Sequence, residues 1–265
     1  MIVDCHVHSG GDDDAGTILA AMDEAGIDVI FLFSYEYITE EQKLWPELER
    51  VAAVCAEAPD RLYPFALIDP RFDDAPGILD RAVNKLGYRG LKMLPNHWYP
   101  YDEVAMRMYA KMQELGIPGI FHAGILYGQI YVDSSRFCQP VHFEALLHYP
   151  DVKFGLAHMG APWCRECVSV LRRFGNYHYQ RGSKHQQMFI DITPGNITPA
   201  DMSNALARAG AQHIVHGSDT NTGRQEGLGG LKRTLESRRQ LFCELGVAKE
   251  DQAAIFGETV LSWFK

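Results

Sequence analysis

Short apolar runs and longer amphipathic stretches alternate along this chain from end to end. The apolar runs are Ile2–His6, Ile27–Ser34, Leu62–Ile68, Gly90–Leu94, Gly119–His122, Lys153–His158, Met188–Asp191 and His213–Gly217. They are rich in Val, Ile, Leu and Phe and show little alternation, as expected of strands buried on both faces. Between them, Gly16–Ala25, Thr39–Ala58, Ala75–Leu86, Glu103–Leu115, Pro140–Tyr149, Trp163–Phe174 and Pro199–Ala209 carry helical periodicity. Two more amphipathic stretches, Leu228–Leu245 and Lys249–Phe264, follow the last strand. Punctuation agrees: Thr39 precedes an acidic first turn, and Gly26, Gly87, Gly116 and Gly210 close helices as C′ residues. Strands alternating with helices predict a parallel sheet, and a count of eight favours a closed (β/α)8 TIM barrel over an open doubly wound sheet. No linker or low-complexity block interrupts the pattern, so residues 1–265 are read as one domain. The longest irregular stretches are Pro95–Asp102, Gly124–Gln139 and Gly175–Gln187, of which the first two are expected to wall a pocket.

The strand ends carry the chemistry. The first run closes in His6-Val7-His8, and residues i and i+2 of a strand share a face, with Cys5 and Val7 turned the other way. Lys92 sits in GLKMLP on strand four, His122 in FHAG after strand five, His158 in LAHMG after strand six and Asp219 in HGSD after strand eight. Barrel enzymes keep their chemistry at the C-terminal ends of the strands. Four imidazoles and a carboxylate converging there form a donor set for zinc or a similar divalent ion with an open position for water. Such an ion acidifies its water, and a neighbouring carboxylate can accept the proton.

Size and charge narrow the classes. The 265 residues, 46% of them hydrophobic, suffice for one large barrel core. The net charge of −9, without a basic stripe, argues against nucleic acid as a partner and leaves a small-molecule substrate. No secretory leader and no run long enough for a membrane span is visible, and six scattered cysteines suit a reducing cytoplasm. A homo-oligomer is compatible with all of this.

With these motifs in place, the chain resembles the amidohydrolase superfamily of metal-dependent (β/α)8 enzymes. The likeness lies with its amidohydrolase-related branch, which includes decarboxylases. It runs from IVDCHVH through GLKMLP, GIPGIFHAG, GLAHMG and IVHGSD to the closing IFGETVLSWF. It implies metal ligation by His6, His8, His122 and Asp219, with Asp219 also serving as base. It further implies that His158 either polarises substrate or binds a second metal. Lys92 decides between versions: carboxylated, it bridges two metals; as a plain amine, it leaves one, and one is the expectation for this branch.

The remaining candidates are weighed individually. Asp4 is placed either to orient an imidazole or to pack at the barrel floor. Arg71, in LIDPR beside Asp69, and Arg136 are candidate clamps for a substrate carboxylate; Trp98 and Tyr131 are candidate pocket walls, with His97, Tyr99, Tyr101 and Tyr127 nearby. Cys164 and Cys167 form a lone Cys-x-x-Cys that reads as helix neighbours. His142, His148, His178, His185, His213 and His216 read as structural or solvated. The expected activity is metal-assisted hydrolysis of a C–N or C–O bond in a small organic acid, amide or lactone, with catalysis by Asp219 and His158. The first alternative is metal-dependent decarboxylation of an aromatic or unsaturated acid; the second is a metal-binding barrel without catalysis. Hydrolase against lyase turns on whether Arg71 or Arg136 holds a carboxylate beside the metal.

Overall fold

The computed structural model describes residues 1–36, 38–223 and 227–264. Its strands are β1 (Val3–His8), β2 (Val29–Phe33), β3 (Leu62–Leu67), β4 (Gly90–Met93), β5 (Gly119–Phe121), β6 (Phe154–Leu156), β7 (Met188–Asp191), β8 (Ile214–Val215) and β9 (Thr220–Asn221). All pair in parallel, in the order β8-β7-β6-β5-β4-β3-β2-β1-β9. The sheet is an eight-step barrel whose last strand is broken in two. β8 pairs with β7, β9 pairs with β1, and the residues between them join the two sides: the Cys5 amide donates to the His216 carbonyl at 3.0 Å and the Asp219 amide to the His6 carbonyl at 2.9 Å. The single-domain (β/α)8 expectation therefore holds, with the eighth strand interrupted where its functional residue lies.

The helices are α1 (Ala15–Ala25), α2 (Glu41–Ala56), α3 (Ala75–Leu86), α4 (Glu103–Leu115), α5 (Cys164–Gln180), α6 (Pro199–Ala209), α7 (Gly229–Glu244), α8 (Lys249–Ala253) and α9 (Thr259–Leu261). Five sequence expectations shift. The Pro140–Tyr149 stretch is a 3-10 helix over Pro140–His148, and α5 runs six residues further than Phe174, into the stretch expected to be irregular. The C-terminal helix is split by a π turn at Ala254–Glu258. Thr39 is not the cap of α2: Glu40 is, without a side-chain bond. Gly26, Gly87 and Gly116 close their helices in the left-handed conformation as expected, whereas Gly210 adopts φ 84°, ψ 153°.

Two apolar layers hold the barrel. The larger lies between strands and helices and includes Val7, Ile30, Leu32 and Leu91. The smaller fills the barrel interior with Val3, Cys5, Phe31, Phe33, Phe65, Ile120, Phe189 and Val215, closed by Val260 and Trp263. Phe31 and Phe65 stack there at 4.6 Å between centroids. Gly90 makes room for them, since a Cβ at that position would lie 2.2 Å from the Phe65 ring.

Candidate metal centre

A β-bulge in β1 brings its residues to the mouth. Val3 and Asp4 pair with Val29 and Ile30, but Val7 and His8 pair with Leu32 and Phe33, so one residue is extra between Asp4 and Val7. Bulges of this kind re-aim side chains near active sites. Strict alternation would send Cys5 outward with Val7. Instead Cys5 joins the interior cluster, and His6 also turns inward, with its ring 4.9 Å from Phe33. Asp4 is left outside the donor group. Its Oδ1 accepts from the His6 amide (3.1 Å) and the Ser218 amide (2.9 Å), so it braces backbone and orients no imidazole. Burial pushes its carboxyl up to about 7.

The imidazole is oriented by a residue the sequence reading missed. Asp191, the last residue of β7, is buried and lies 2.6 Å from His6 Nδ1. Burial pushes Asp191 up to about 6 and holds His6 well below its usual value, so at neutral pH a neutral His6 donates Nδ1–H and presents Nε2 as a lone pair. Gly217 permits this packing: a Cβ there would lie 2.6 Å from the Cβ of His6 and 3.0 Å from Asp191 Oδ1. Asp191 could have been suspected as a carboxylate ending a strand, but nothing local separated it from Asp69, which also ends one.

Around His6 Nε2 stand His8 Nε2 at 3.1 Å, Asp219 Oδ1 at 3.3 Å and Lys92 Nζ at 3.1 Å; His8 Nε2 is 3.4 Å from the same Asp219 oxygen. His6, His158 and Asp219 each offer a ligand atom within 4.8 Å of the others. His122 is buried, its ring 4.9 Å from His158, and its Nε2 has no hydrogen-bond partner among the described residues. Lone pairs crowded this closely, one of them buried and unpaired, are costly without a cation between them. The donor set, imidazole nitrogens with one carboxylate, suits zinc or a comparable divalent ion. The residues therefore fit a metal.

His158 and Asp219 are held in strained backbone. His158 has φ 55° and Asp219 φ 59°, the left-handed region that non-glycine residues avoid and that clusters at functional sites. His158 follows β6 on a 3-10 turn, with its amide on Thr193 Oγ1 (3.0 Å) and Nδ1 2.7 Å from the Pro194 carbonyl, which leaves Nε2 for the mouth. Burial would raise the Asp219 carboxyl, but His8, His6 and His158 together hold it well below its usual range. Lys92 is fully buried, and burial lowers its amine to about 8. Among the described residues it forms no carboxylate salt bridge; it lies beside His6 and, at 4.8 Å, the Phe33 ring.

A cavity of about 380 Å3 opens over these donors, reached by His8, His122, His158 and Asp219. Tyr131 and Tyr127 line it as their loop position suggested. Three expected contacts fail. Trp98 is buried in the outer core, with 3% of its surface exposed. Arg71 is engaged by Asp69 (2.5 Å) and borders only a narrow side crevice. Arg136 lies over Phe137, 4.9 Å from the ring centroid, away from the cavity lining. The two arginines are turned to local partners, Asp69 and the Phe137 ring, whereas Trp98 is taken up by the core. His97, bonded to Asn96 and Ser134, and the stacked pair Tyr99–Tyr101 also lie outside the cavity. Glu36 and Asn196, not singled out from the sequence, do line it.

Fold and mouth together define a parallel barrel with a candidate metal centre at the C-terminal ends of its strands. Comparison with known proteins gives the family: the profile described as Amidohydrolase matches residues 3–259. The chain belongs to the amidohydrolase family. No curated protein sequence matches it. Among solved structures it is similar to 2,6-dihydroxybenzoate decarboxylase from Rhizobium (18% identity, 99% of this chain and 98% of that one, TM-score 0.70). It is also similar to 5-carboxyvanillate decarboxylase from Novosphingobium aromaticivorans, solved with bound manganese (13%, 100% and 97%, TM-score 0.69). A third is 4-oxalomesaconate hydratase from Rhodopseudomonas palustris (16%, 99% and 95%, TM-score 0.66). These likenesses confirm the fold. Among the described residues, no helix is long and apolar enough to cross a membrane.

Proposed function

We propose that the chain is a divalent-metal-dependent decarboxylase of a small aromatic or unsaturated acid, with one ion held by His6, His8, His122 and Asp219. Zinc is the ion that this nitrogen-rich set favours, and manganese is the alternative offered by the neighbour that contains it. The observation that carries the reading is the distribution of charge in the cavity. Apart from its imidazoles and carboxylates, the lining is apolar or neutral, and no lysine or arginine among the described residues contributes to it. Within the described lining, the donor cluster is the place that attracts the carboxylate of a bound acid, which there becomes the reacting group. A hydrolase of an organic acid would need a second, cationic handle for that group. Among the described residues no arginine clamp lines the cavity either, but a carboxylate drawn to a bound cation needs none. The names of the decarboxylase neighbours support this reading.

An ion held by His6, His8, His122 and Asp219 would supply positive charge that attracts the carboxylate and stabilises the negative charge developing as the C–C bond weakens. The protein's residues do the rest. Asp191 fixes His6 with its lone pair inward. Asp219, kept ionised by the surrounding imidazoles, accepts a proton from substrate or water and returns it to the ring carbon. As that C–H bond forms, the C–C bond breaks and CO2 leaves. His158, anchored by Pro194, orients the substrate and shares the proton at Nε2.

Hydrolysis of a small lactone or N-acyl amide is the second reading, in which the same Asp219 carboxylate serves as base towards water. The deciding experiment incubates metal-loaded protein with aromatic acids, lactones and N-acyl amides and scores CO2 and hydrolysis separately. CO2 release that disappears in Asp219→Asn is expected. Hydrolysis without CO2 release overturns the decarboxylase reading.

A further inference from the structure

One carboxylate in the cavity has no part in the chemistry above. Glu36, three residues beyond β2, has a side chain 14% exposed and an Oε2 3.6 Å from His8 Nδ1. It lines the main cavity and, together with Leu94 and Tyr131, also borders the side crevice of about 80 Å3. It stands at the border of the two spaces, on the opposite edge of His8 from the donor cluster.

Its place is built. The amide of the preceding residue, Tyr35, donates to Glu47 Oε1 at 2.8 Å. Glu47 grips Arg50 through both carboxylate oxygens at 2.8 Å, and Arg50 grips Asp13 at 2.6 Å. Asp13 in turn accepts from the Gly10 amide at 3.1 Å, in the loop that follows His8. The Asp13 and Glu47 side chains are almost wholly buried, 0% and 9% exposed, so the loops after β1 and β2 are clamped to one ion cluster. Glu36 is thereby held beside His8.

We infer that Glu36 makes the site selective for substrates whose only anionic group is the one at the donor cluster, with a hydroxyl or amino group at the far edge. The inference rests on the donor-site reading proposed above and adds the substrate class. A second carboxylate reaching the Glu36 wall meets a like charge in a partly desolvated space, which disfavours it strongly. A hydroxyl or amine there finds a charged acceptor. No lysine or arginine is among the described residues of the lining.

Calorimetric titration of the metal-loaded full chain with benzoate, 3-hydroxybenzoate and isophthalate tests this. In the native protein 3-hydroxybenzoate is expected to bind at least as tightly as benzoate, and isophthalate at least ~10-fold more weakly. In Glu36→Gln the ratio between benzoate and isophthalate is expected to fall below about threefold. Isophthalate binding to the native protein as tightly as benzoate overturns the inference, and so does a ratio unchanged by the substitution. The native ratio needs no variant, so it decides the matter even if Glu36→Gln loses its metal. Benzoate binding that is equally strong after chelation marks a different failure, that of the donor-site reading itself.

Discussion

In the lower barrel Val3, Phe31, Phe65, Ile120 and Phe189 meet as a dry plug with stacked rings. A few residues further along the same strands stand His6, Asp191 and the turns carrying His122, His158 and Asp219. In the lower layer, each strand alternates between interior and helix layer, and neutral side chains fill the space. In the upper layer alternation fails in β1, β8 breaks, and His158, Met159 and Asp219 take backbone conformations that cost of order 1–3 kcal/mol each. The lower layer can thus be understood as the rigid support that lets the upper one hold close-set donors. If the two layers divide the work in this way, substitutions in them should fail differently.

The largest effect is expected from His6→Ala in the upper layer. The purified protein should carry close to one divalent ion per chain, and this variant should lose metal affinity by orders of magnitude and with it all activity. Elemental analysis reads the first and turnover the second; full occupancy in the variant would break the donor argument. Asp219→Asn comes next, with kcat down by about 10²–10⁴ if it carries the proton, while substrate still binds. His158→Asn should keep its metal in a one-ion site and still lose most activity.

Phe65→Ala in the lower layer should behave oppositely. Truncating a fully buried phenylalanine costs about 3–5 kcal/mol of stability, visible in urea unfolding, while the folded fraction keeps its metal and its kcat. A kcat loss as large as that of Asp219→Asn would show that the layers are not separable. Asp191→Asn is intermediate, because it touches the centre only through His6. Loss of such a carboxylate partner lowers metal affinity by about 10–100-fold, and unchanged affinity would remove its orienting role.

The same contrast explains what could be read from sequence. The lower layer was legible because burial on both faces writes itself as short apolar runs, and β7 falls at Met188–Asp191 as expected. The donor residues were legible as histidines and an aspartate at strand ends, and the structure brings all five to one mouth together with Lys92. Illegible were features that depend on contacts distant in sequence. The bulge that turns Cys5 inward is fixed by register against β2, and Asp191 gains its role by lying opposite His6, 185 residues away. Arg71 and Arg136 misled because a cation on a mouth loop looks available until its partner is seen: Asp69 in one case, the Phe137 ring in the other.

The smallest effect sharpens the comparison at the break between β8 and β9. His216 is fully buried against Phe256, and neither ring nitrogen finds a partner among the described residues. Burial, with smaller contributions from Arg238 and Arg239, pushes its imidazole down to about 3. The folded protein therefore holds His216 neutral, while the unfolded chain protonates it below ~6.5. Because the unfolded state binds the extra proton, stability falls as pH drops from about 6.5 towards 3, and none of this loss occurs above pH 7. At pH 5 the loss amounts to roughly 2 kcal/mol from this residue alone. His216→Phe keeps a ring against Phe256 and cannot take the proton. Urea unfolding of metal-free native and variant chains should give a stability difference that is constant above pH 7 and shifts in favour of the variant by that amount at pH 5. Parallel curves would mean that the imidazole is hydrated, and that the break between β8 and β9 is wet where the barrel interior beneath it is dry.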